Sequence, residues 1–222
     1  NKLKKIFICG TNTDVGKTYI ANRIIKKIKK KAKIGVYKPI ESGCNKKCGE
    51  LIPNDSSIYF KTIEEEIPLN IINPYRFEPP ISPRRAIKLA KRKIYNKNLV
   101  SHIKQFSDYE YLFIEGAGGV CSPLTLDGLN IDFMKQIGGK AILIAKDELG
   151  VLNNVLLCLN ILKKYKIPLL AIVLNRIQLK QHSKMNNKKE LEEFTDIPVL
   201  QFIHNKSDDA ELRFLEKKIL TM

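Results

Sequence analysis

The sequence contains no apolar run that approaches the ~18 residues that a membrane-spanning helix needs. Its first residues, 1–5, are too few and too charged for a signal peptide. No Gly/Ser/Pro-rich linker or block of charge divides the 222 residues. We therefore expect a single domain over residues 1–222, located in the cytoplasm and without a membrane partner.

Cysteine patterns typical of zinc sites are also missing. The cysteines are odd in number, and none is arranged as a Cys-x-x-Cys pair or with a matching His spacing. The one close pair, Cys44 and Cys48, has no second pair of ligands. We expect reduced thiols, and metal binding by this pair is the less favoured alternative.

Acidic residues are scarce relative to basic ones, with 23 Asp and Glu against 39 Lys and Arg, which gives a formal net charge of +16. Such a charge is compatible with a nucleic-acid or anionic-membrane partner. The lysines are spread along the whole chain, however, and the densest run, 26–33, falls at the end of a predicted helix, where the helix dipole favours cations. We expect no nucleic-acid partner.

What the sequence does contain is an apolar run, a polar loop and a helical pattern in direct succession at residues 6–18. The order predicts a strand, a phosphate-binding loop and a helix over about 16–31. Backbone N–H groups of such a loop and of the helix start bind polyphosphate oxygens. The predicted nucleotide-binding residues of the loop are Asn12, Thr13, Asp14, Val15, Gly16, Lys17 and Thr18.

Two side chains of this loop carry specific predictions. Lys17 is expected to reach the β- and γ-phosphates, and the Thr18 hydroxyl to bind Mg²⁺. The loop is a variant, because the usual first glycine is Thr11, with Gly10 one place earlier. The alternative is a Gly-Lys-Thr that merely begins a helix.

Buried strands alternate with helices along the rest of the chain. Strands are predicted at 34–37, 111–114, 141–145, 169–174 and 199–200. This alternation predicts an α/β fold, a doubly wound, mainly parallel sheet flanked by helices, as in P-loop NTPases. In such sheets, residues at the carboxyl ends of the strands face the ligand.

Polar residues stand at several of these strand ends. Lys38 is predicted to point at the bound nucleotide or substrate, and Glu115 to supply a carboxylate for Mg²⁺. The segment after Glu115, Gly116, Ala117, Gly118 and Gly119, would let the backbone approach phosphate closely. Asn175 has the donor and acceptor needed to bind an adenine edge, and a role as a turn residue is the equal alternative.

Several local predictions complete the chain. Residues 40–43 are expected to form a polar, flexible loop. Asp55 lies at the start of a predicted helix that ends near residue 61, and the alternative to a role in the site is that Asp55 simply caps this helix. Pro83 should open a helix that carries Ala86, Leu89 and Ala90 inward. Another helix is expected to run from Gly150 to about residue 164.

Taken together, the motifs resemble those of the dethiobiotin synthetase family over nearly the full length of the chain. They are Gly10 to Thr18, Tyr37-Lys38-Pro39 with Ser42-Gly43, Asn54-Asp55, Asn73-Pro74-Tyr75, Ser82-Pro83, Glu115 to Gly119, Leu149-Gly150 with Asn153, and Asn175. Each piece is weak alone, and the combination is specific.

The resemblance implies that ATP, 7,8-diaminononanoate and CO₂ are substrates, with a carbamate and a carbamic-phosphoric anhydride as intermediates. It implies Lys17 and Lys38 as catalytic residues. It also implies metal ligands and substrate-binding residues. The expected ligands of Mg²⁺ are Thr18, Asp55 and Glu115, and the expected substrate-binding residues are Lys38, Ser42, Gly150, Val151, Leu152 and Asn153.

By the same resemblance the protein is a homodimer whose substrate site lies at the subunit interface, with the helix start at Gly150 binding the substrate carboxylate of the neighbouring subunit. Two residues depart from the family pattern. Asn12 stands where members usually have Asp, and Glu41 stands where a small residue is common, which places negative charge beside the expected diamine site.

The alternative function is a nucleotide-switched partition or membrane-site ATPase with the same P-loop architecture. Such proteins usually have a lysine near the start of the loop, where this chain has Thr11 and Asn12. They also have an acidic end to the second strand, where this chain has Lys38-Pro39. A cobyric-acid-type amidotransferase relative would need an appended glutaminase with a nucleophilic cysteine, and we expect none within these 222 residues.

Overall fold

The computed structural model describes residues 3–177, 181–204 and 206–222. The strands in these ranges are β1 (Lys4–Gly10), β2 (Ile34–Tyr37), β3 (Ile40–Ser42), β4 (Asn45–Lys47), β5 (Glu50–Ile52), β6 (Tyr75–Phe77), β7 (Tyr111–Gly119), β8 (Lys140–Lys146), β9 (Leu169–Arg176) and β10 (Val199–Ile203).

The helices in the same ranges are α1 (Lys17–Ile28), α2 (Asn54–Thr62), α3 (Leu69–Ile72), α4 (Pro83–Leu89), α5 (Asn96–His102), α6 (Asn130–Ile137), α7 (Val151–Lys164), α8 (Asn187–Glu192) and α9 (Asp209–Leu220). A 3₁₀ turn, Ile103–Phe106, follows α5. None of these helices is both long and apolar enough to cross a membrane.

Six strands form the main sheet in the order β2-β7-β1-β8-β9-β10, and every pairing in it is parallel. The chain passes from β1 outward to β2, returns through β7, and then continues on the other side of β1 with β8. The order therefore reverses beside β1, which is where ligands bind in open α/β sheets. The predicted fold class, a parallel sheet flanked by helices, is confirmed.

The central strands are apolar and buried because helices cover the sheet. All four residues of β2 are buried, and so is the run 141–145 in β8. In α1, apolar residues recur at helical spacing, and Ile20, Ile24 and Ile28 are fully buried. This packing fixes the loop between β1 and α1 against the sheet.

Two local predictions are wrong. In α4, Ala86 and Ile87 face inward, whereas Leu89 and Ala90 are exposed because the helix ends at residue 89. Residues 40–42 form the short strand β3, which pairs with β6 and has Ile40 and Glu41 buried, so this segment is not a flexible loop.

Candidate functional site

The loop between β1 and α1 has the close backbone packing that a phosphate-binding loop requires. A side chain at Gly10 would come within 2.9 Å of the Asn12 carbonyl oxygen and of Val15 Cγ2. Gly10 thus meets the steric demand for a glycine near the start of the loop, where Thr11 departs from the usual pattern. Gly16 directly precedes α1 and has φ +91°, a conformation that favours glycine.

The loop leaves donors for an anion. Within the described residues, the backbone N–H groups of Gly16, Lys17 and Thr18 form no hydrogen bond. The Lys17 ammonium folds back and donates to the Asn12 carbonyl at 3.1 Å. Burial lowers the pKa of Lys17, although nearby Glu115 opposes the shift. The predicted roles of these loop residues, from Asn12 to Thr18, remain predictions.

Lys38 and Glu115 meet beside this loop. Lys38 directly follows β2, Glu115 lies in β7, and these neighbouring parallel strands bring both side chains to one edge of the sheet. Lys38 Nζ lies 2.5 Å from Glu115 Oε1 and 2.8 Å from Asp55 Oδ2. The buried ammonium therefore bridges two carboxylates, one from the sheet and one from the first turn of α2.

The charges of this cluster shift its pKa values. Burial alone would lower the pKa of Lys38, but Glu115, Asp55 and Glu41 together raise it above its ordinary value. Burial would raise the pKa of Asp55, whereas the ammonium of Lys38 outweighs that effect and holds this pKa low. Lys38 and Asp55 are thus both held in their charged forms at neutral pH.

Glu115 has two further partners. The Thr18 hydroxyl donates to Oε1 at 3.1 Å, and the Tyr59 hydroxyl donates to Oε2. Burial raises the pKa of Tyr59, and the adjacent Glu115 raises it further. Sequence reasoning missed Tyr59. Its spacing of four residues from Asp55 was the available signal, because residues i and i+4 lie on one helix face.

The oxygen atoms of Thr18, Asp55 and Glu115 fit the predicted Mg²⁺ site by their chemistry. Both carboxylates contact the Lys38 ammonium, and Thr18 contacts Glu115 directly. Hard oxygen donors in small number suit Mg²⁺, which keeps several waters. No group of three or more His, Cys, Asp or Glu side chains in the described ranges could hold a metal, so the Thr18 hydroxyl would have to complete the protein ligands.

Glu41 forms no ion pair with Lys38 in the described residues, although its charge raises the pKa of that lysine. Its buried carboxylate accepts hydrogen bonds from the start of α2 instead. Ser42, predicted to bind substrate, is partly buried at the end of β3. The expectation that Glu41 places negative charge beside a diamine site remains a prediction.

The glycines after Glu115 have a packing role that the sequence did not indicate. A side chain at Gly119 would come within 2.9 Å of the Thr11 carbonyl oxygen, and one at Gly116 within 2.5 Å of Asn130 Oδ1. Asn130 also donates to the carbonyl of Gly119 at 2.8 Å and to that of Ala117. Contact of Gly116 to Gly119 with phosphate remains a prediction.

Asn175 lies inside β9 and is buried, so the alternative that it is a turn residue is wrong. Its side-chain amide donates to the Val15 carbonyl at 3.0 Å. The bond leaves the side-chain oxygen of Asn175 available as an acceptor. Recognition of adenine by Asn175 remains a prediction.

A buried polar group next to Asn175 was missed as well. The Asp147 carboxylate accepts hydrogen bonds from Asn187 and Gln201, each at 2.7 Å, and pairs with Arg176 at 3.3 Å. Asp147 thus joins α8, β9 and β10 at the edge of the sheet where Asn175 lies. It follows β8 directly, the same kind of position that singled out Lys38.

The start of α7 lies at the surface. Leu149 is 90% exposed, and nothing lies within 4 Å of the position that a side chain at Gly150 would take. The Val151 N–H already donates to the Glu148 carbonyl at 3.2 Å, and Asn153 is exposed. The first turn is thus open to solvent, apart from the buried Val151 side chain.

The fold and the phosphate loop define a P-loop nucleotide-binding protein. A family model described as an AAA domain matches residues 4–209. A plasmid partition protein from Borrelia burgdorferi is similar with a TM-score of 0.65 at 14% identity, covering 99% of each chain. The hydrogenase maturation factor HypB from Archaeoglobus fulgidus is similar with a TM-score of 0.56 at 15% identity, covering 98% of this chain and 90% of HypB. At these identities the likeness is one of fold.

Curated relatives define the family. The ATP-dependent dethiobiotin synthetase BioD of Vesicomyosocius okutanii is 34% identical over 98% of this chain and 98% of its own length. That of Nitrosopumilus maritimus is 32% identical over 98% of this chain and 97% of its own. The chain belongs to the dethiobiotin synthetase family. It is an ATP-dependent ligase of biotin synthesis, as the sequence motifs predicted.

Proposed function

We propose that this enzyme converts 7,8-diaminononanoate and CO₂ to dethiobiotin, with ATP cleaved to ADP and phosphate. One amine nitrogen bonds to the carbon of CO₂ and loses a proton, which gives a carbamate. A carbamate oxygen then attacks the γ-phosphorus and ADP leaves. The second amine attacks the carbon of the resulting carbamic-phosphoric anhydride and loses a proton, phosphate leaves, and the five-membered cyclic urea closes.

The observation that carries this proposal is the buried ammonium of Lys38 beside the phosphate loop. The carbamate and the triphosphate are both anions, so bringing them together requires fixed positive charge. Lys17 supplies it from the loop and Lys38 from the end of β2. We assign the catalytic roles to these two lysines because both can stabilise charge that develops during transfer.

We further propose that Thr18, Asp55 and Glu115 hold Mg²⁺, since their oxygens suit that ion. When bound, Mg²⁺ would neutralise phosphate charge and orient the triphosphate. The residues themselves contribute geometry: Tyr59 holds one oxygen of Glu115 and Thr18 approaches the other. The adenine is assigned to Asn175 and the phosphates to residues 12–18 and 115–119.

The exposed start of α7 suits the proposed binding of the diamine carboxylate across a homodimer. Its first turn presents Gly150, Leu152 and the exposed Asn153 to solvent. A helix N-terminus stabilises an anion by roughly 0.3–2 kcal/mol. Val151 contributes through its position in the first turn and not through its N–H, which is already bonded. Ser42 is assigned to the substrate as well.

The direct test measures ADP release with and without diaminononanoate and bicarbonate, and detects the cyclic urea by mass spectrometry. We expect ADP release to require both compounds and to match the product formed. ADP release that ignores the diamine but rises with DNA or anionic vesicles would instead support the partition or membrane-site ATPase. A sedimentation measurement under assay conditions tests the dimer.

A further inference from the structure

Glu41 is a buried carboxylate that the proposed reaction does not use. It lies in β3, and its Oε1 accepts a hydrogen bond from the Asp55 backbone N–H at 2.8 Å. Its Oε2 accepts from the Ser56 N–H at 3.0 Å and from the Ser56 hydroxyl at 2.6 Å. No lysine, arginine or histidine of the described residues forms an ion pair with it. Within the described ranges, all hydrogen bonds of the Glu41 carboxylate therefore come from the start of α2.

The start of α2 needs such an acceptor. The first N–H groups of a helix have no partner within the helix, and a side chain just before it usually accepts from them. Here that position is Pro53, which has no side-chain acceptor. The next residue, Asn54, directs its side chain to the Gly43 carbonyl and to Asn45. Glu41 supplies the missing cap from a distant segment, and its negative charge suits the positive end of the helix.

This cap acts on a residue of the candidate site. The backbone N–H of Asp55 is held by Glu41, and its carboxylate is held by Lys38. Lys38 and Glu41 are three residues apart, so one short segment fixes Asp55 at two points. We propose that Glu41 is a positioning residue that sets Asp55 at the distance from Lys38, Thr18 and Glu115 that Mg²⁺ binding requires. This inference rests on the proposed function.

A direct role of Glu41 in binding metal or substrate does not fit the contacts. Both of its oxygens already accept bonds from α2, and a ligand would have to displace them. The contacts of this segment support two different roles for its two charged residues instead. Lys38 provides charge at the site, and Glu41 provides the geometry of the carboxylate that faces Lys38.

The test compares Glu41→Gln and Glu41→Ala with two controls. Glu50→Gln makes the same change at an exposed glutamate, and Ile87→Val lowers stability at a buried site in α4. Gln keeps one acceptor oxygen but turns an NH₂ group toward donors, and Ala removes both acceptors. Ser56→Ala removes one of the three bonds and keeps the carboxylate, which provides a milder variant if Glu41→Ala does not fold.

Three quantities are measured for each variant. They are the Mg²⁺ concentration that gives half-maximal ADP release, the Mg²⁺ concentration that half-saturates the rise in Tm, and the amide hydrogen exchange of Asp55 and Ser56 without metal. For Glu41→Gln we expect both Mg²⁺ concentrations to rise by about tenfold, as for other outer partners of metal ligands. We also expect faster exchange at both amides, and no change in Glu50→Gln.

The outcomes separate the possibilities. Faster exchange with unchanged Mg²⁺ concentrations, or with a shift equal to that of Ile87→Val, would reduce Glu41 to a structural cap and overturn the proposal. Unchanged exchange would overturn the capping role itself. If the wild type releases no diamine-dependent ADP, the proposed function fails, while the Tm titration and the exchange still decide the role of Glu41.

Discussion

Replacement of Lys38 by Ala tests the electrostatic design of the site in the absence of any ligand. The ammonium lies between Asp55 and Glu115, at 2.8 Å and 2.5 Å, and its loss leaves two carboxylates facing each other. Two unit charges roughly 5 Å apart repel by about 3 kcal/mol at an effective dielectric constant of about 20. Removing one partner of a buried ion pair costs about 3–5 kcal/mol.

The Asp55 side chain is 38% exposed, so solvent screening reduces these figures. We expect Lys38→Ala to lower the free energy of unfolding by about 2–3 kcal/mol at neutral pH, which corresponds to a fall in Tm of about 5–10 °C for a chain of this size. Mg²⁺ should restore part of this loss, because a cation between the carboxylates replaces the missing ammonium. Wild type should gain less from Mg²⁺ without nucleotide.

The loss of stability in Lys38→Ala should depend on pH in one direction. The pKa of Asp55 is held below the unfolded value near 3.8. The ionised Asp55 therefore stabilises the folded state above that pH, and this stabilisation is lost as the pH falls through the folded pKa. The pKa of Lys38 is raised above 10.5, so the stabilisation of the folded state by its ammonium is fully present at every pH below 10.5. The difference in Tm between wild type and Lys38→Ala should therefore shrink below about pH 4.

The assay is thermal unfolding of both proteins from pH 3 to pH 8, with and without Mg²⁺. Lys188→Ala, which breaks the exposed pair with Glu192, serves as the control and should change stability by at most about 0.5 kcal/mol. Equal stability of wild type and Lys38→Ala at pH 7 would refute the electrostatic reasoning. So would a Tm difference that does not depend on pH or Mg²⁺.

Three further predictions concern turnover. Lys17→Ala or Thr18→Ala should abolish ADP release while the circular dichroism spectrum stays unchanged, because both side chains act on phosphate and metal; near-normal turnover would contradict the loop assignment. Tyr59→Phe removes the hydroxyl that holds Glu115, and should raise the Mg²⁺ concentration for half activity by about tenfold with little change in the KM for ATP. An unchanged Mg²⁺ titration would exclude a role of Tyr59 in holding this metal ligand. Asn153→Asp keeps α7 stable, since an acid suits a helix start, but should raise the KM for the diamine by about two- to tenfold and leave that for ATP unchanged; an unchanged KM for the diamine would argue against the cross-subunit site.

The sequence predicted those strands and loops that can be recognised from residues adjacent in the chain. The strand at Ile34–Tyr37 has the predicted bounds because a short apolar run between a helix end and a proline leaves one interpretation. The phosphate loop was predictable because residue types and spacing together define it. Even the atypical Thr11 proved consistent with the fold, since Gly10 takes a position in the loop where a side chain would clash.

The contacts that assemble the site were less accessible. Glu41, Tyr59 and Asp147 act on residues distant in the sequence, and their partners follow from the packing of β3, α2 and β10 on the sheet. The hydrophobic periodicity of a sequence does not indicate which helix begins beside which strand. Glu41 shows the consequence, because the sequence did not indicate that its carboxylate accepts hydrogen bonds from the start of α2.

The fold alone does not select the reaction. A plasmid partition protein at 14% identity matches 99% of this chain with a TM-score of 0.65, so the same fold is compatible with different functions. The parallel pairing of β2 with β7 brings the residue after β2 beside Glu115 and the loop, whatever its type. In the proposed reaction, a lysine at that position would offer positive charge to a second anion beside the triphosphate, whereas an acidic residue would repel it. The side chain at position 38 therefore carries more functional information than the strands that position it.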